Sequence, residues 1–316
     1  MPKTFTDLTR HALNGPTMGT RWSALFHMPR DFDTGEIRAA LEKAVGDVDR
    51  QMSTWKPESD LNRLNAAAPG AWVDLPENLM AVLDAGLTIG RASGGAFDIG
   101  LGDAIVAWGF GPEQASEAAI KAARVASRSP AYDLLELDRA NRKARKHAAM
   151  RFDLNGIAKG FGVDRLAETA LQHGVTAGLF AIDGELRALG TQPDGRGWAI
   201  AIETPDRKAR AAHSILELQD AAIATSGDYR HFVEVDGRLL SHTIDPKRGM
   251  PLLQSPASVS VIARDCMSAD AWATAFMVLG AERGLPLAEQ LGLSALFLWH
   301  GEATGAGCGT FGLPHS

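Results

Sequence analysis

The segment TSGDYRHFVEVDGRLLSHTIDP, residues 225–246, carries the strongest local fold signal in this chain. Asp236-Gly237 stands between two strand-like runs, and an Asp-Gly pair in that setting predicts a β-hairpin. The hairpin would bring two polar clusters, residues 225–230 and 241–246, close to one another. Together they hold hydroxyl, carboxylate, imidazole and guanidinium groups, so the segment is also a candidate for chemistry.

His242 has two possible roles in this segment. Because side chains alternate across a strand, we expect Leu240, His242 and Ile244 on one face and Ser241 and Thr243 on the other. A histidine between two aliphatic neighbours is either a satisfied core residue or a catalytic group. The segment alone leaves both interpretations open.

Apolar periodicity predicts helices and strands on both sides of the hairpin. Helices are expected at residues 33–49, 77–93, 116–127, 157–172, 268–279 and 284–291. Strands are expected at residues 19–28, 179–183, 185–190, 197–203, 257–263 and 294–299, with two more inside 132–152. These elements do not alternate as regular βαβ units, and no long linker separates them. The sequence therefore predicts an α+β fold in a single domain, residues 1–316.

Three signals at the ends of these elements can be checked against the structure. Gly174 is a candidate C-terminal cap for the helix at 157–172, and Ser268 is a candidate N-cap for the helix that follows it. The basic turn from Arg139 to Lys146 is interpreted as a solvated hairpin face rather than a phosphate-binding patch.

Composition limits the classes of function. The net charge of −6 gives no basic field for nucleic acid. Cys266 and Cys308 are too few for a disulfide framework, and neither stands in a Cys-x-x-Cys zinc or redox motif. The N-terminus has no apolar core of signal-peptide length, and no segment approaches the roughly 20 apolar residues that span a bilayer. We therefore expect a soluble, cytoplasmic protein without a transmembrane segment.

Residues 153–164, DLNGIAKGFGVD, place glycines and one lysine at the start of a helix. Exposed backbone N–H groups at a helix N-terminus attract phosphate, and Lys159 could add a charge or a hydrogen bond. The alternative is close packing of the helix against a sheet through Gly156 and Gly160. The spacing alone does not separate the two.

Residues 268–274, SADAWAT, form a second candidate site. Asp270 and Thr274 are four residues apart and project from one helical face. A carboxylate, a hydroxyl and a nearby main-chain carbonyl suit Mg²⁺. The alternative is that Asp270 only complements the helix dipole while Thr274 faces solvent.

Two further tracts are less informative by themselves. The glycines and aromatics of residues 93–98 and 108–112 could shape a slot for a planar ring, or could simply be core. Met18, beside the first predicted strand, and Trp55 are not diagnostic in isolation.

In combination, these tracts resemble the ApbE family of flavin transferases. The matching elements span nearly the whole chain and occur in the family's order: residues 18–20, 53–55, 93–98, 153–164, 183–184, 225–230, 241–246 with Gly249, and Asp270 with Thr274. The resemblance implies an α+β enzyme whose active site lies in a cleft between two interleaved lobes. It implies Mg²⁺-dependent cleavage of FAD, transfer of FMN to a threonine or serine of an acceptor protein, and release of AMP.

The resemblance also implies roles for individual residues. Asp270, Thr274 and the main chain at Gly156 fall at the family's metal ligands, and His242 matches its catalytic histidine. The positions that match FAD contacts are Met18, Trp55, Ala96, Phe97, Asp98, Asp153, Lys159 and Thr243. Thr243 departs from the aliphatic residue that is frequent there. Many family members are exported, so the expected cytoplasmic location also departs from the pattern.

Two other functions stay open at this point. The same site could hydrolyse FAD to FMN and AMP if water replaced the acceptor hydroxyl. A flavin-binding protein without catalysis would be a different class of function. The presence of Asp270, Thr274 and His242 argues against it, because storage needs neither a metal nor a base.

Overall fold

The computed structural model describes residues 8–206, 211–228, 232–235 and 238–299, with the backbone alone at 232–235 and 238–240. Its helices are α1 Thr34–Met52, α2 Asp60–Ala66, α3 Glu77–Ala92, α4 Gly102–Ala107, α5 Glu117–Val125, α6 Ala131–Leu134, α7 Ala158–Gln172 and α8 Cys266–Gln290. Gly280, at φ 69° and ψ 172°, breaks α8 into two helical parts, which agrees with the two helices expected there. No helix among the described residues is both long and apolar enough to cross a membrane.

The main sheet has seven antiparallel strands. They are β1 Leu8–Thr17, β2 Thr20–Pro29, β6 Gly178–Ile182, β7 Glu185–Leu189, β10 Ala222–Gly227, β15 Ser258–Ala263 and β16 Ser294–Leu298, in the order β1-β2-β6-β7-β10-β15-β16. Every neighbouring pair is antiparallel. The α+β class predicted from the sequence is confirmed.

The other described strands form one three-stranded sheet and three two-stranded sheets. They are β3 Val73–Asp74 with β5 Lys143–Lys146 and β4 Leu135–Asp138; β8 Trp198–Glu203 with β9 Ala212–Leu218; β11 Phe232–Val235 with β12 Arg238–Ser241; and β13 Ile244–Asp245 with β14 Met250–Pro251. The division into one domain of two interleaved lobes stays a prediction.

The main sheet is covered on both faces. Ala222 packs into the cluster that contains α1 and α7 residues, whereas its neighbour Ile223 packs with Trp198, Ile200 and other residues of the β8–β9 pair. Consecutive residues of a strand point to opposite faces. The helices therefore cover one face of the sheet and the β8–β9 pair covers the other.

Strand β1 was missed by the sequence analysis because its composition hides it. It contains Gly15 and Pro16, two residues depleted in strands. Proline is tolerated on an edge strand, and β1 is the edge of the sheet. A Cβ on Gly15 would lie 2.6 Å from Nε1 of buried Trp22, so this glycine leaves room for the indole. The other elements missed are strands β3, β9, β10 and β14 and helices α2, α4 and α6.

The predicted hairpin forms, but the predicted strand does not continue past it. Val235 lies opposite Arg238, although Asp236 and Gly237 themselves lie outside the described residues, as do 229–231. Strand β12 ends at Ser241, whose Oγ accepts a hydrogen bond from the Thr243 N–H at 3.1 Å. The alternation expected through His242 is therefore wrong, because the chain bends there before β13 begins.

The helix-end predictions divide between right and wrong. Gly174, at φ 80°, and the N–H bonds of Gly174 and Val175 to the Leu171 and Ala170 carbonyls confirm the cap of α7. The N-cap of α8 is Asp265, which accepts from the Ser268 N–H at 2.7 Å. The prediction of Ser268 as the N-cap is therefore wrong. The helix begins about one turn earlier, where the Asp265 side chain caps it.

The basic hairpin is only partly a solvated face. Its two strands are confirmed, and Arg145 forms an ion pair with Glu136. Lys146 is instead buried and donates to the carbonyls of Asn65 at 2.6 Å and Met150 at 3.0 Å. The solvated interpretation is wrong for Lys146, because the strand turns this side chain under α2.

Candidate active site

One cleft of about 1280 Å³ contains all twelve residues to which the family resemblance gives a role. It is lined by Met18, Trp55, Ala96, Phe97, Asp98, Asp153, Gly156, Lys159, His242, Thr243, Asp270 and Thr274. These residues come from segments more than 250 positions apart. Their common location is a property of the tertiary fold, and the individual roles implied by the resemblance stay predictions.

Met18 reaches the cleft from a tight turn. Met18 and Gly19 connect β1 and β2 and both have positive φ, 43° and 71°. Two positive φ values in a two-residue loop define a type I′ hairpin turn. A non-glycine residue in this region is uncommon and is held by the paired strands on either side. The turn fixes the position of Met18 at the cleft wall.

Trp55 stands at the rim of the cleft, on the segment after α1. Its side chain is 62% exposed, which is unusual for a large aromatic group. Asn62 holds this segment by donating to the carbonyls of Thr54 at 3.0 Å and Lys56 at 2.9 Å. An exposed indole on a fixed segment can stack on a planar ring.

Residues 94–98 form a second wall. Gly94 and Gly95 have φ values of 62° and 80°, and the Phe97 N–H donates to Ser93 Oγ at 3.0 Å. Asp98 Oδ1 accepts from the N–H groups of Gly100 at 2.8 Å and Ala131 at 3.1 Å. Burial raises the pKa of Asp98 against these hydrogen bonds.

Trp108 does not contribute to a slot for a planar ring. It is buried in a separate cluster and donates through Nε1 to the Gly249 carbonyl at 2.9 Å. Phe110 also lies off the cleft wall, with its ring against that of His242 at 6.3 Å. Trp108 and Phe110 are therefore packing residues rather than parts of a slot for a planar ring, whereas Phe97 lines the cleft.

Residues of the tract 153–160 form a third wall of the cleft. Asp153 accepts from the N–H of Asn155 at 2.9 Å and from its Nδ2 at 3.2 Å. Burial raises the pKa of Asp153 to about 6. A Cβ on Gly156 would lie 2.9 Å from Thr274 Oγ1, so the absence of a side chain brings this main chain against α8.

Gly160 settles the alternative left open by the sequence, at one of the two glycines. A Cβ there would lie 2.3 Å from the Cys266 carbonyl oxygen, and its N–H donates to Asp270 Oδ2 at 3.0 Å. Gly160 is therefore a close-packing residue, and its neighbour is helix α8 rather than the sheet. Gly156, beside Thr274, also faces the cleft.

Lys159 is held by carboxylates on the turn between β6 and β7. Its Nζ donates to Oε1 of Glu185 at 2.8 Å and to Oε2 at 2.9 Å, and lies 3.8 Å from Oδ2 of Asp183. Burial alone would lower the pKa of Lys159, but Glu185, Asp270 and Asp183 together raise it. Lys159 is therefore a permanent cation in the cleft wall.

Asp270 and Thr274 lie one turn apart on α8, as predicted. Burial raises the pKa of Asp270, while the nearby Lys159 ammonium lowers it. Thr274 Oγ1 lies 3.2 Å from Ser226 Oγ. The donor set of one carboxylate, one hydroxyl and the Gly156 carbonyl contains hard oxygens only and fits Mg²⁺, which commonly takes its other ligands from water and substrate phosphates. Within the described residues no group of three or more His, Cys, Asp or Glu side chains could hold a metal alone.

His242 lies at the bend between β12 and β13. It is half-buried and lines the cleft, whereas Thr243 and Ile244 beside it are buried. The interpretation of His242 as an ordinary core residue does not fit this position.

Some polar residues of the cleft were missed by the sequence analysis. Glu185, Asn155 and Ser226 all line it, and none was assigned a role. Glu185 could have been noticed in the sequence, because it begins the short strand ELRAL and glutamate is rarely found in buried strands. The other two are polar residues beside glycines and carry no distinguishing pattern.

Comparisons with known proteins show the family to which the chain belongs. The model of the ApbE family matches residues 18–297. The chain is 34% identical to the FAD:protein FMN transferase of Vibrio cholerae over 88% of this chain and 84% of that protein. It is 31% identical to the FAD:protein FMN transferase of Escherichia coli K12 over 90% of this chain and 83% of that protein.

Solved structures give the same result at the level of the fold. The flavinyl transferase ApbE of Pseudomonas stutzeri superimposes with a TM-score of 0.81 at 36% identity, covering 93% of this chain and 92% of that chain. The flavin transferase ApbE of Vibrio cholerae gives a TM-score of 0.81 at 31% identity, covering 92% and 93%. On the family match, these relatives and the shared fold, the chain belongs to the ApbE family.

Proposed function

We propose that this enzyme transfers FMN from FAD to a threonine or serine hydroxyl of an acceptor protein and releases AMP. The observation that carries the proposal is that all twelve residues to which the family resemblance gives a role line one cleft. The names of its relatives support the same reaction. Storage of FAD would use only part of this arrangement, whereas an FAD pyrophosphatase would use the same site with water in place of the acceptor hydroxyl.

The cleft has the size that a dinucleotide needs. Its volume of about 1280 Å³ exceeds the range of roughly 300–1,000 Å³ typical of small-molecule sites. Trp55 at the rim offers an aromatic face to the flavin ring, and Lys159 offers a fixed positive charge to the phosphates or an adjoining polar group. The walls are thus suited to the flavin ring and to the diphosphate of FAD.

Asp270, Thr274 and the Gly156 carbonyl would hold Mg²⁺ at the diphosphate. When bound, the ion supplies charge neutralisation to the phosphates, which phosphoryl transfer requires more than covalent assistance. The part played by the protein is to fix the ligands. The Gly160 N–H holds Asp270 at 3.0 Å, and Ser226 contacts Thr274 at 3.2 Å.

His242 is the proposed general base. An acceptor hydroxyl is a weak nucleophile near neutral pH, and imidazole titrates in a suitable range to take its proton. The hydroxyl oxygen forms a bond to the phosphorus of the FMN half, and the bond from that phosphorus to the bridging oxygen breaks. The electron pair leaves with AMP, and the proton passes to His242.

The experiment compares His242→Ala with His147→Ala, an exposed histidine paired with Glu136 on the β4–β5 hairpin. Each protein is mixed with FAD, Mg²⁺ and a threonine-containing acceptor peptide, and AMP and the peptide mass are followed. We expect His242→Ala to bind FAD but lose about 10²–10⁴ in transfer rate, with His147→Ala unchanged. Transfer by His242→Ala at the wild-type rate would contradict the assignment.

The same assay separates the alternatives. AMP with a flavin-bearing peptide supports the transferase, and AMP with free FMN alone supports an FAD pyrophosphatase. Neither product from a protein that retains FAD supports storage. Chelation of the metal should abolish both catalytic outcomes. The cytoplasmic location stays a prediction, which fractionation of the producing cells would test.

A further inference from the structure

We propose that Glu185 is a positioning residue that fixes the Lys159 ammonium so that it can contact FAD. The inference rests on the proposed function and extends it to a residue outside the predicted site. Glu185 would not touch FAD itself. It would act through Lys159, which donates to both of its carboxylate oxygens.

The hydrogen bonds of Lys159 leave one donor for a ligand. An ammonium group has three N–H donors. Two are taken by Glu185, at 2.8 and 2.9 Å, while Asp183 at 3.8 Å is too distant for a hydrogen bond. Within the described residues no third hydrogen bond of Lys159 is formed. A bidentate anchor therefore orients the group and leaves one N–H for the cleft.

The two partners differ in burial as an anchor and a contact residue should. The Glu185 side chain is 3% exposed and that of Lys159 is 30% exposed. A lysine stem carries several rotatable bonds, and fixing it costs rotamer entropy. When the pair forms in the free protein, this cost is met before FAD arrives, which favours binding.

The backbone holds the anchor in place. Glu185 is the first residue of β7 and lies opposite Ile182 across a two-residue turn in which Asp183 has φ 54°. On the same strand, Arg187 pairs with Asp164 of α7 at 2.7 Å. This second ion pair sets α7 against β7 independently of Lys159. The attachment of α7 to β7 therefore does not depend on Glu185 alone, and Glu185 is available to control the ammonium.

Two other roles for Glu185 predict different behaviour. If it competes with FAD for the ammonium, its removal will strengthen FAD binding. If it is only a structural ion pair, its removal will change stability and leave FAD affinity intact. Positioning predicts weaker FAD binding that depends on the presence of Lys159.

The test measures FAD affinity without metal, by quenching of flavin fluorescence, and stability by urea unfolding. The variants are Glu185→Gln, Lys159→Met and the double variant. Glu136→Gln is the control. Glu136 also accepts two hydrogen bonds from a cation, since Arg145 donates to its Oε2 at 2.9 and 2.6 Å, but it does not line the cleft. We expect Glu185→Gln to weaken FAD binding about tenfold, the effect of one charge-assisted hydrogen bond. The double variant should bind no more weakly than Lys159→Met, and Glu136→Gln should bind as wild type.

Several results would overturn the proposal. They are unchanged or tighter FAD binding by folded Glu185→Gln, or additive losses in the double variant. If Glu185→Gln does not fold, Glu185→Asp keeps the charge on a side chain one methylene shorter. It should bind FAD severalfold more weakly at an unchanged unfolding midpoint, and wild-type binding would refute positioning. Failure of the wild-type protein to bind FAD both without metal and with Mg²⁺ added would instead reject the proposed function.

Discussion

The two shortest ion pairs between α7 and β7 among the described residues differ in what surrounds the ions. In the cleft pair, Lys159 and Glu185, the lysine is 30% exposed and keeps a donor beyond its partner. In the inner pair, Asp164 and Arg187, the carboxylate also accepts from two backbone N–H groups of α8, at 2.9 and 2.8 Å. Neither residue of the inner pair lines the cleft.

The difference lies in how fully each pair is satisfied by the protein. The Asp164 carboxylate receives three hydrogen bonds and links α7, β7 and the start of α8, so it is committed to the fold. The cleft pair joins the same two elements but leaves capacity for a ligand. Buried charges are tolerated only when they are paired and hydrogen-bonded. We infer that the inner pair maintains the architecture and allows the cleft pair to serve binding.

The largest effect is expected from Asp164→Ala. The change removes the hydrogen-bonded partner of Arg187, which keeps only the longer contact with Glu168 at 3.9 Å, and the acceptor of two N–H groups at the start of α8. Loss of one member of a buried pair costs about 3–5 kcal/mol of unfolding free energy. Urea unfolding measures this, and FAD titration of the folded protein should give wild-type affinity.

The matched control is Asp47→Ala. Asp47 pairs with Lys43 and Arg50 on the surface of α1, where such a change is expected to cost no more than about 1 kcal/mol. Equal unfolding midpoints for Asp164→Ala and wild type would remove the structural role given to the inner pair. Reduced FAD affinity in its folded form would remove the distinction between the pairs.

A smaller effect is expected from Gly160→Ala, at the contact of α7 with α8 between the two pairs. The new Cβ would lie 2.3 Å from the Cys266 carbonyl oxygen and 2.8 Å from Asp270 Cβ. Overpacking of this kind costs about 1–3 kcal/mol of unfolding free energy. It should also displace Asp270, so that transfer needs a higher Mg²⁺ concentration to reach half its maximal rate. Urea unfolding and an Mg²⁺ titration of activity measure the two effects.

Gly46→Ala is the comparison for that substitution. Gly46 is exposed within α1, and a Cβ there meets nothing within 4 Å. Alanine should stabilise the helix by roughly 0.5–1 kcal/mol. A Gly160→Ala protein as stable as Gly46→Ala would show that the α7–α8 contact can relax without cost.

The smallest effect concerns pH. Burial raises the pKa of Asp153 in the cleft to about 6, well above its ordinary value of 3.8. The folded state therefore binds this proton more tightly than the unfolded state. The resulting stabilisation is complete below the unfolded pKa and is lost as the pH rises through 6.

Asp153→Asn should remove this dependence. Between pH 5 and pH 7 the wild-type protein should lose about 1 kcal/mol of unfolding free energy that the variant retains. Asp164, whose pKa burial also raises to about 6, is common to both proteins and cancels in the difference. Parallel pH profiles for wild type and variant would show that Asp153 does not titrate in this range.

Sequence reasoning succeeded where the signal was local. Asp270 and Thr274 were placed on one face because helical geometry relates residues four apart, and the β11–β12 hairpin followed from its turn. It failed at β1, where Gly15 and Pro16 obscure a strand, and at His242, where alternation stops at a bend. In both places a neighbouring element or a side-chain hydrogen bond overrides the local pattern.

What the sequence by itself determined is most of the longer secondary-structure elements, the α+β class and the family resemblance. These depend on backbone hydrogen bonding and on periodic apolar residues, which are properties of short segments. The tertiary structure alone decided that Lys159 meets Glu185, that Gly160 packs on Cys266, and that Trp108 is core. Such contacts join residues far apart in the chain, and their geometry exists only after helices and strands have packed their apolar faces together.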